Sequence, residues 1–286
     1  MTANSSLSPS QGYFRTSHSA KEQRSSIMRC LSTFLAMTLM GNAAFAEEEC
    51  SKITATGHRY YPVIAYREGD KIVGAAPTLV ETIAKQINVP LESKYMGTWE
   101  EAQAAVRDGK ADMIFGLYYN DERANYLDYV QPAFTFDDVA IFVVKGKEFP
   151  FTDKNDLIGK KGVTNRGESY GNEFDAFMKE KLDVARANGI EAAFKDLLSG
   201  KADYLIAGYY PGLAEAAREG VKDKVGPLEQ ALLSQEMFVA FSKKSPCKSL
   251  AGKFGQGITE LTTNDSYQKM MDAATTAWKD AQKPNE

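Results

Sequence analysis

Residues 109–119 read GKADMIFGLYY and residues 200–210 read GKADYLIAGYY, the same phrase twice in one chain. Each copy holds a glycine that can end a helix, a Lys-Ala-Asp turn, an apolar run, a further glycine and two tyrosines. Upstream of the first copy, Thr98-Trp99-Glu100-Glu101 has the spacing of a capping box, with Thr98 as N-cap and Glu101 reaching back to its amide. The helix it opens turns Ala102, Ala105 and Val106 inward and stops at Gly109. Each phrase therefore predicts a helix-to-strand step, with residues 113–115 and 204–207 entering a sheet, in two equivalent α/β units.

In open α/β sheets ligands bind outside the carboxyl ends of the strands. That rule singles out four segments: GHRYY after Thr56, LYYNDER after Gly116, NRGESYG after Thr164 and GYYPG after Ala207. Two come from each unit, so facing units would line one cleft, a common place for a small-molecule site. Elsewhere, residues 53–56 and 89–95 read as strands, and Leu79, Val80, Ile83, Ala84 and Ile87 recur at helical spacing. The chain is expected to cross from one lobe to the other near PAFTFDD and to return near LLSQEMF. The expected organisation is lobe 1 over residues 47–132 and 238–286, lobe 2 over 138–232, and a two-segment hinge at 133–137 and 233–237.

Residues 1–46 stand apart. A polar, Ser-rich stretch precedes Met28-Arg29, a short apolar run and Ala44-Phe45-Ala46, the pattern of a cleavable signal peptide, with Met28 a candidate start. The apolar run is too short to span a bilayer, which takes about 20 residues. The expected location is the periplasm. Removing the leader takes away Arg15, Lys21, Arg24, Arg29 and Glu22, which moves the formal net charge from −4 to −7. With no Lys/Arg cluster, the chain is not expected to bind nucleic acid. The leader also takes Cys30. Cys50 and Cys247 remain and are read as one disulfide in an oxidising compartment, the alternative being two free thiols. His58 is the histidine left, so a histidine-based metal site has almost nothing to use, and neither metal nor cofactor is expected.

Together, YPVIAYREGDKIVG, TWEEAQAAVRDGKADMIFG, NDERANYLDYVQPAF, LIGKKGVTNRGESYGNEF and SGKADYLIAGYY resemble, in order and spacing, the bacterial extracellular solute-binding proteins of family 3. These are the type II periplasmic binding proteins of polar amino-acid ABC transporters. The resemblance runs from about Ile53 to Lys279. It implies a binding protein rather than a catalyst: two α/β lobes, each an open mixed sheet flanked by helices, which close on a solute and present it as a monomer to an inner-membrane permease.

Site residues follow from the resemblance position by position. Arg123 matches the arginine that grips the ligand carboxylate, a task suited to a guanidinium fork; the plain alternative is a surface pair with Asp121 or Glu122. Gly116 and Tyr118 match positions that offer a backbone group and a hydroxyl. The spacing from Asp112 to Arg123 is one residue short, so Tyr119 competes with Tyr118. Tyr61 and Trp99 match the aromatic pair about the ligand side chain, with a core role the alternative for Trp99, and His58 stands beside Tyr61. Glu168 and Ser169 match the second-lobe loop that binds the carboxylate through amides at a helix start. Glu168, where Thr is more usual, is a departure, since an acid there calls for a cation.

A larger departure is Gly208, where the family carries an aspartate for the ligand ammonium. Either Glu168 supplies that charge, or Tyr209 and Tyr210 supply cation–π contact, or the ligand has no ammonium, or the tyrosines only pack. The resulting expectation is a carboxylate solute with a cationic or methylated amine. Two other readings stay open. A cyclohexadienyl dehydratase-like enzyme would use Glu173 as a buried acid, and a sensor module would pass the same binding event to a signalling partner.

Overall fold

The computed structural model describes residues 49–281, so the expected signal peptide lies outside the described residues. The chain opens with β1 (Ile53–Gly57) and the small antiparallel sheet β2 (Tyr60–Tyr61), β3 (Ala65–Glu68) and β4 (Lys71–Val73). Helix α1 (Ala75–Gln86) buries Leu79, Val80, Ile83 and Ala84, the stripe expected from their spacing. After β5 (Leu91–Ser93) comes α2 (Trp99–Asp108), whose capping box forms as read: Thr98 accepts from the Glu101 amide, and Glu101 accepts from the Thr98 amide at 2.7 Å. Strand β6 (Met113–Tyr118), the four-residue helix α3 (Asp121–Ala124) and β7 (Leu127–Tyr129) follow in the first half.

Strand β8 (Thr135–Val144) leads into the second half: β9 (Lys161–Asn165), α4 (Asn172–Lys181), β10 (Asp183–Ala187), α5 (Ile190–Leu198), β11 (Tyr204–Gly208), α6 (Tyr209–Arg218) and β12 (Val225–Pro227). Strand β13 (Leu233–Ser242) returns, and α7 (Ala251–Thr263) and α8 (Ser266–Ala281) pack back against α1. The strand order is β10-β9-β11-β8-β13-β6-β1-β5. The two long strands are antiparallel, residues 135–139 opposite 233–237, so the two crossings between halves run side by side. The first half pairs β1 in parallel with β5 and β6. The second pairs β9 in parallel with β10 and β11. Helices cover both faces in each half, α1, α7 and α8 against α2 in the first, and α4 against α5 and α6 in the second.

The repeated phrase has one physical job, done twice. Gly109 and Gly200 take the left-handed conformation, at φ 80° and 76°, that ends a helix and that a Cβ disfavours. In both copies the Lys and Ala amides turn back onto one helix carbonyl, that of Ala105 in the first and Asp196 in the second. The aspartate then pins the neighbouring parallel strand: Asp112 Oδ2 accepts from the Thr54 amide, and Asp203 Oδ2 from the Lys161 amide, each at 2.8 Å. Its own amide returns the bond, to Thr54 O at 2.8 Å and to Lys161 O at 2.7 Å. Asp112 Oδ1 also accepts from Ser245 at 2.7 Å, close to the Cys50–Cys247 disulfide, which closes this end of the first half.

Candidate functional site

Pinned at their amino ends, β1, β6, β9 and β11 deliver their carboxyl ends to one place. His58, Tyr60 and Tyr61 follow β1, Tyr118 ends β6, Asn165, Glu168 and Tyr170 follow β9, and Gly208 and Pro211 lie at the junction of β11 and α6. All of them line a cavity of about 20 Å³, room for about one water. Through His58, Tyr60, Asn165 and Ile190 it adjoins a space of about 380 Å³ edged by Trp99, Trp278 and Arg218. On the other side, past Glu168, a groove of about 800 Å³ passes Gln103, Arg123 and Ser169. The four segments picked out by strand polarity thus meet in one cleft.

Arg123 is buried on α3, where its amide caps back to Asn120 Oδ1 at 2.7 Å. Its guanidinium donates to Gln103 Oε1 at 2.9 Å, to the Tyr118 carbonyl at 3.1 Å and, across the cleft, to the Gly167 carbonyl at 3.1 Å. All three acceptors are neutral. The surface pair with Asp121 or Glu122 does not form. Trp99 is buried in the core against Ala102, Val106 and Ile114, yet its ring also meets the cleft, with His58 5.2 Å and the Arg123 guanidinium carbon 5.5 Å from its centre.

Glu168 answers the question its charge raised. Its Oε1 lies 3.3 Å from His58 Nε2 and accepts from Asn165 Nδ2 at 3.2 Å. Burial pushes its carboxyl pKa up, but His58, Arg123 and Asn165 together outweigh burial and hold it below the ordinary value. Ser169 is buried beside it, accepting from Asn120 Nδ2 at 2.6 Å and donating to Asp175.

Gly116, at φ 75°, sits in a bulge where the β6–β13 register shifts. After it Tyr118 points into the cleft, while Tyr119 is 43% exposed, packed on Tyr129 and bonded to Asp121 at 3.1 Å. At the second copy of the phrase, Tyr209 is half-buried against the core of the second half and Tyr210 is 64% exposed. Neither lines the cavity. Glu173 has an 87% exposed side chain and pairs with Lys154, outside the cleft.

Gly208 opens onto a residue that the motifs did not mark. Any Cβ at 208 would stand 2.2 Å from the Tyr61 hydroxyl and 3.2 Å from Oδ2 of Asp137, on β8. Asp137 is 7% exposed, and its Oδ2 accepts hydrogen bonds from both Tyr61 and Tyr118, whose hydroxyls lie 2.7 Å apart. Burial drives its pKa up to about 6 against the opposing pull of the two phenols, with Asp138 and Glu168 adding to the rise. Burial, reinforced by Asp137, raises both phenol pKa values well above normal. The signal for Asp137 lay in strand parity: it shares the inward face of β8 with Val139, Ile141 and Val143, while Phe136 beside it is 69% exposed.

Farther out, Glu191, Glu215 and Glu219 converge on the Arg218 guanidinium at 2.5, 2.7 and 2.9 Å, so these acids are held by an arginine. That guanidinium also packs over the Tyr60 ring of the first half at 5.2 Å.

Two α/β halves joined by paired long strands, with strand ends from both facing one polar and aromatic cavity, define a cleft-type solute-binding protein. The chain belongs to the bacterial extracellular solute-binding proteins, family 3, which match residues 53–275. It is similar to the probable amino-acid-binding protein YxeM of Bacillus subtilis (strain 168), at 22% identity over 233 residues, 80% of this chain and 86% of that protein. The amino acid ABC transporter substrate-binding protein AbpA of Streptococcus pneumoniae, solved with L-arginine bound, superposes with a TM-score of 0.65. That match has 21% identity and covers 80% of this chain and 96% of AbpA. A histidine kinase sensor domain with similarity to periplasmic binding proteins gives 0.64 at 23% identity, covering 79% and 95%. The fold these share is the two-lobed type II periplasmic binding protein.

Proposed function

We propose that this chain captures an amino acid or related amine-containing carboxylate between its two halves and delivers it to an inner-membrane ABC permease. One observation carries the reading. Arg123 is a buried guanidinium whose hydrogen bonds end on three neutral oxygens, with the Glu168 carboxylate in its field but not on its fork, so the fork itself has room for a stronger, anionic acceptor. A planar fork in that setting suits a carboxylate. The relatives that bind amino acids support the class of solute.

Capture requires opening, because about 20 Å³ cannot hold an amino acid. The contacts to be exchanged are direct bonds across the cleft: Asn120 to Ser169 at 2.6 Å, the Asp121 amide to Asn172 at 2.9 Å and Arg123 to Gly167. A solute carboxylate takes over Arg123 from the Gly167 carbonyl, and the second half then closes over it. We place the pivot at residues 133–137 and 233–237, on either side of the paired start of β8 and β13, with one lobe formed by 47–132 and 238–286 and the other by 138–232.

Thermal-shift screening of the purified protein against the L-amino acids, opines and betaine-like amines tests the reading. A true solute at 100 times its Kd adds about 2.7 kcal/mol of stability. A panel in which no member shifts the melting temperature defeats it. The likeness to a sensor domain supports a second reading, the same capture coupled to a kinase. Co-purification with a permease rather than a kinase decides between the two.

A further inference from the structure

We propose that Tyr61 and Tyr118, both oriented by Asp137, form a hydrogen-bond-accepting pole that takes the protonated nitrogen of the solute, with Asp137 as the positioning residue. The inference rests on the amine-containing solute proposed above and names what holds the amine.

A phenol in a cavity wall can donate or accept, and so discriminates little. Here both hydroxyl protons are committed within the triangle of the two phenols and Oδ2 of Asp137, because each hydroxyl reaches that oxygen and the two also reach each other. With the protons turned away, the two phenol oxygens, 2.7 Å apart, are left as acceptors on the wall they line. The carboxylate behind them makes that wall negative.

The rest of the cleft leaves this role to them. Glu168, the acid that lines the cavity, already faces His58 and Asn165. Tyr209 and Tyr210 do not line the cavity. Asp137, in contrast, enters no ion pair among the described residues, and the charged groups that act on it, Asp138 and Glu168, are themselves acidic. Tyr267, on α8, is the further titratable group within its field. A buried carboxylate with phenols as its hydrogen-bond donors and acids around it is under-neutralised, and a cation brought against the phenols corrects that.

Gly208 fits the same account. A side chain there would collide with the Tyr61 hydroxyl, 2.2 Å from the Cβ position, and cover the pole. An acid at 208 and the Asp137-backed phenols are therefore alternative ways to fill one spot, and this chain uses the second.

The test compares the wild type with Asp137→Asn and Tyr118→Phe by calorimetry, using the amino acid that binds best in the screen and its des-amino analogue. Arg123 is untouched in both variants. The wild type is expected to prefer the amino acid by about 100-fold, and each variant by less than about tenfold, with affinity for the des-amino analogue unchanged within about threefold. Variants that weaken both ligands equally, or neither, overturn the pole, since a merely structural Asp137 would not separate them. Should no amino acid bind, the capture reading fails and a solute-free probe still decides the pole. Methylammonium chloride, against sodium chloride at equal ionic strength, is expected to raise the melting temperature of the wild type but not of Asp137→Asn. Equal responses overturn the pole.

Discussion

At the scale of single residues, the cleft is organised by two buried charged groups, Arg123 and Asp137. Arg123 is legible from sequence because it closes the NDER segment that follows a strand end, although its spacing from Asp112 is one residue short of the expected pattern. Replacing it with lysine keeps the charge and loses the fork, so solute affinity is expected to fall at least tenfold by calorimetry. Asp137 is illegible by motif, because it sits in a strand and its value depends on what Tyr61, Tyr118 and Gly208 bring to it from elsewhere. Its pKa of about 6 stands above the ordinary 3.8, so the stability it contributes is fully present below about pH 3.8 and is lost as pH rises through about 6. A displacement of that size is worth roughly 3 kcal/mol. Urea unfolding from pH 4 to pH 7 is expected to show that loss, and Asp137→Asn to flatten it and to be the more stable protein at pH 7. A variant as pH-dependent as the wild type would assign the loss to other groups.

At the scale of elements, the sequence is most readable where one local rule acts alone. The Thr98 capping box, the stripe on α1 and the glycine stops at 109 and 200 form as their spacing predicts, because each depends on neighbours within a turn or two. The bulge at Gly116 was not readable. It arises where β6 and β13 lose step, and 120 residues of chain separate those partners. It also decides which of Tyr118 and Tyr119 faces the cleft, a choice that spacing alone left open. The twin aspartates offer a test of local against tertiary structure. Asp112→Ala and Asp203→Ala each remove the acceptor for a strand amide and should cost about 1 kcal/mol. Amide exchange should quicken at Thr54 in the first variant and at Lys161 in the second, and each change should stay within its own half.

At the scale of the whole molecule, Cys50–Cys247 ties residues 197 apart within the first half. Reduction releases that loop, and the chain-entropy estimate for its length is about 5 kcal/mol, a large share of a typical folding free energy. Thermal unfolding with and without reductant should show a correspondingly lower transition, and an unchanged one would mean the bond adds nothing. Tyr118 carries a different consequence. Its carbonyl bonds Arg123 and its hydroxyl bonds Asp137, and Tyr61 comes from the same half, so the groups proposed to grip both ends of a solute head group ride on one jaw. Docking on that jaw still waits for Gly167 of the other jaw to release Arg123. Boarding and residence should therefore both answer to Gly167, Glu168 and Ser169, which shut the lid. Changes in those three would alter how fast a passenger boards as well as how long it stays.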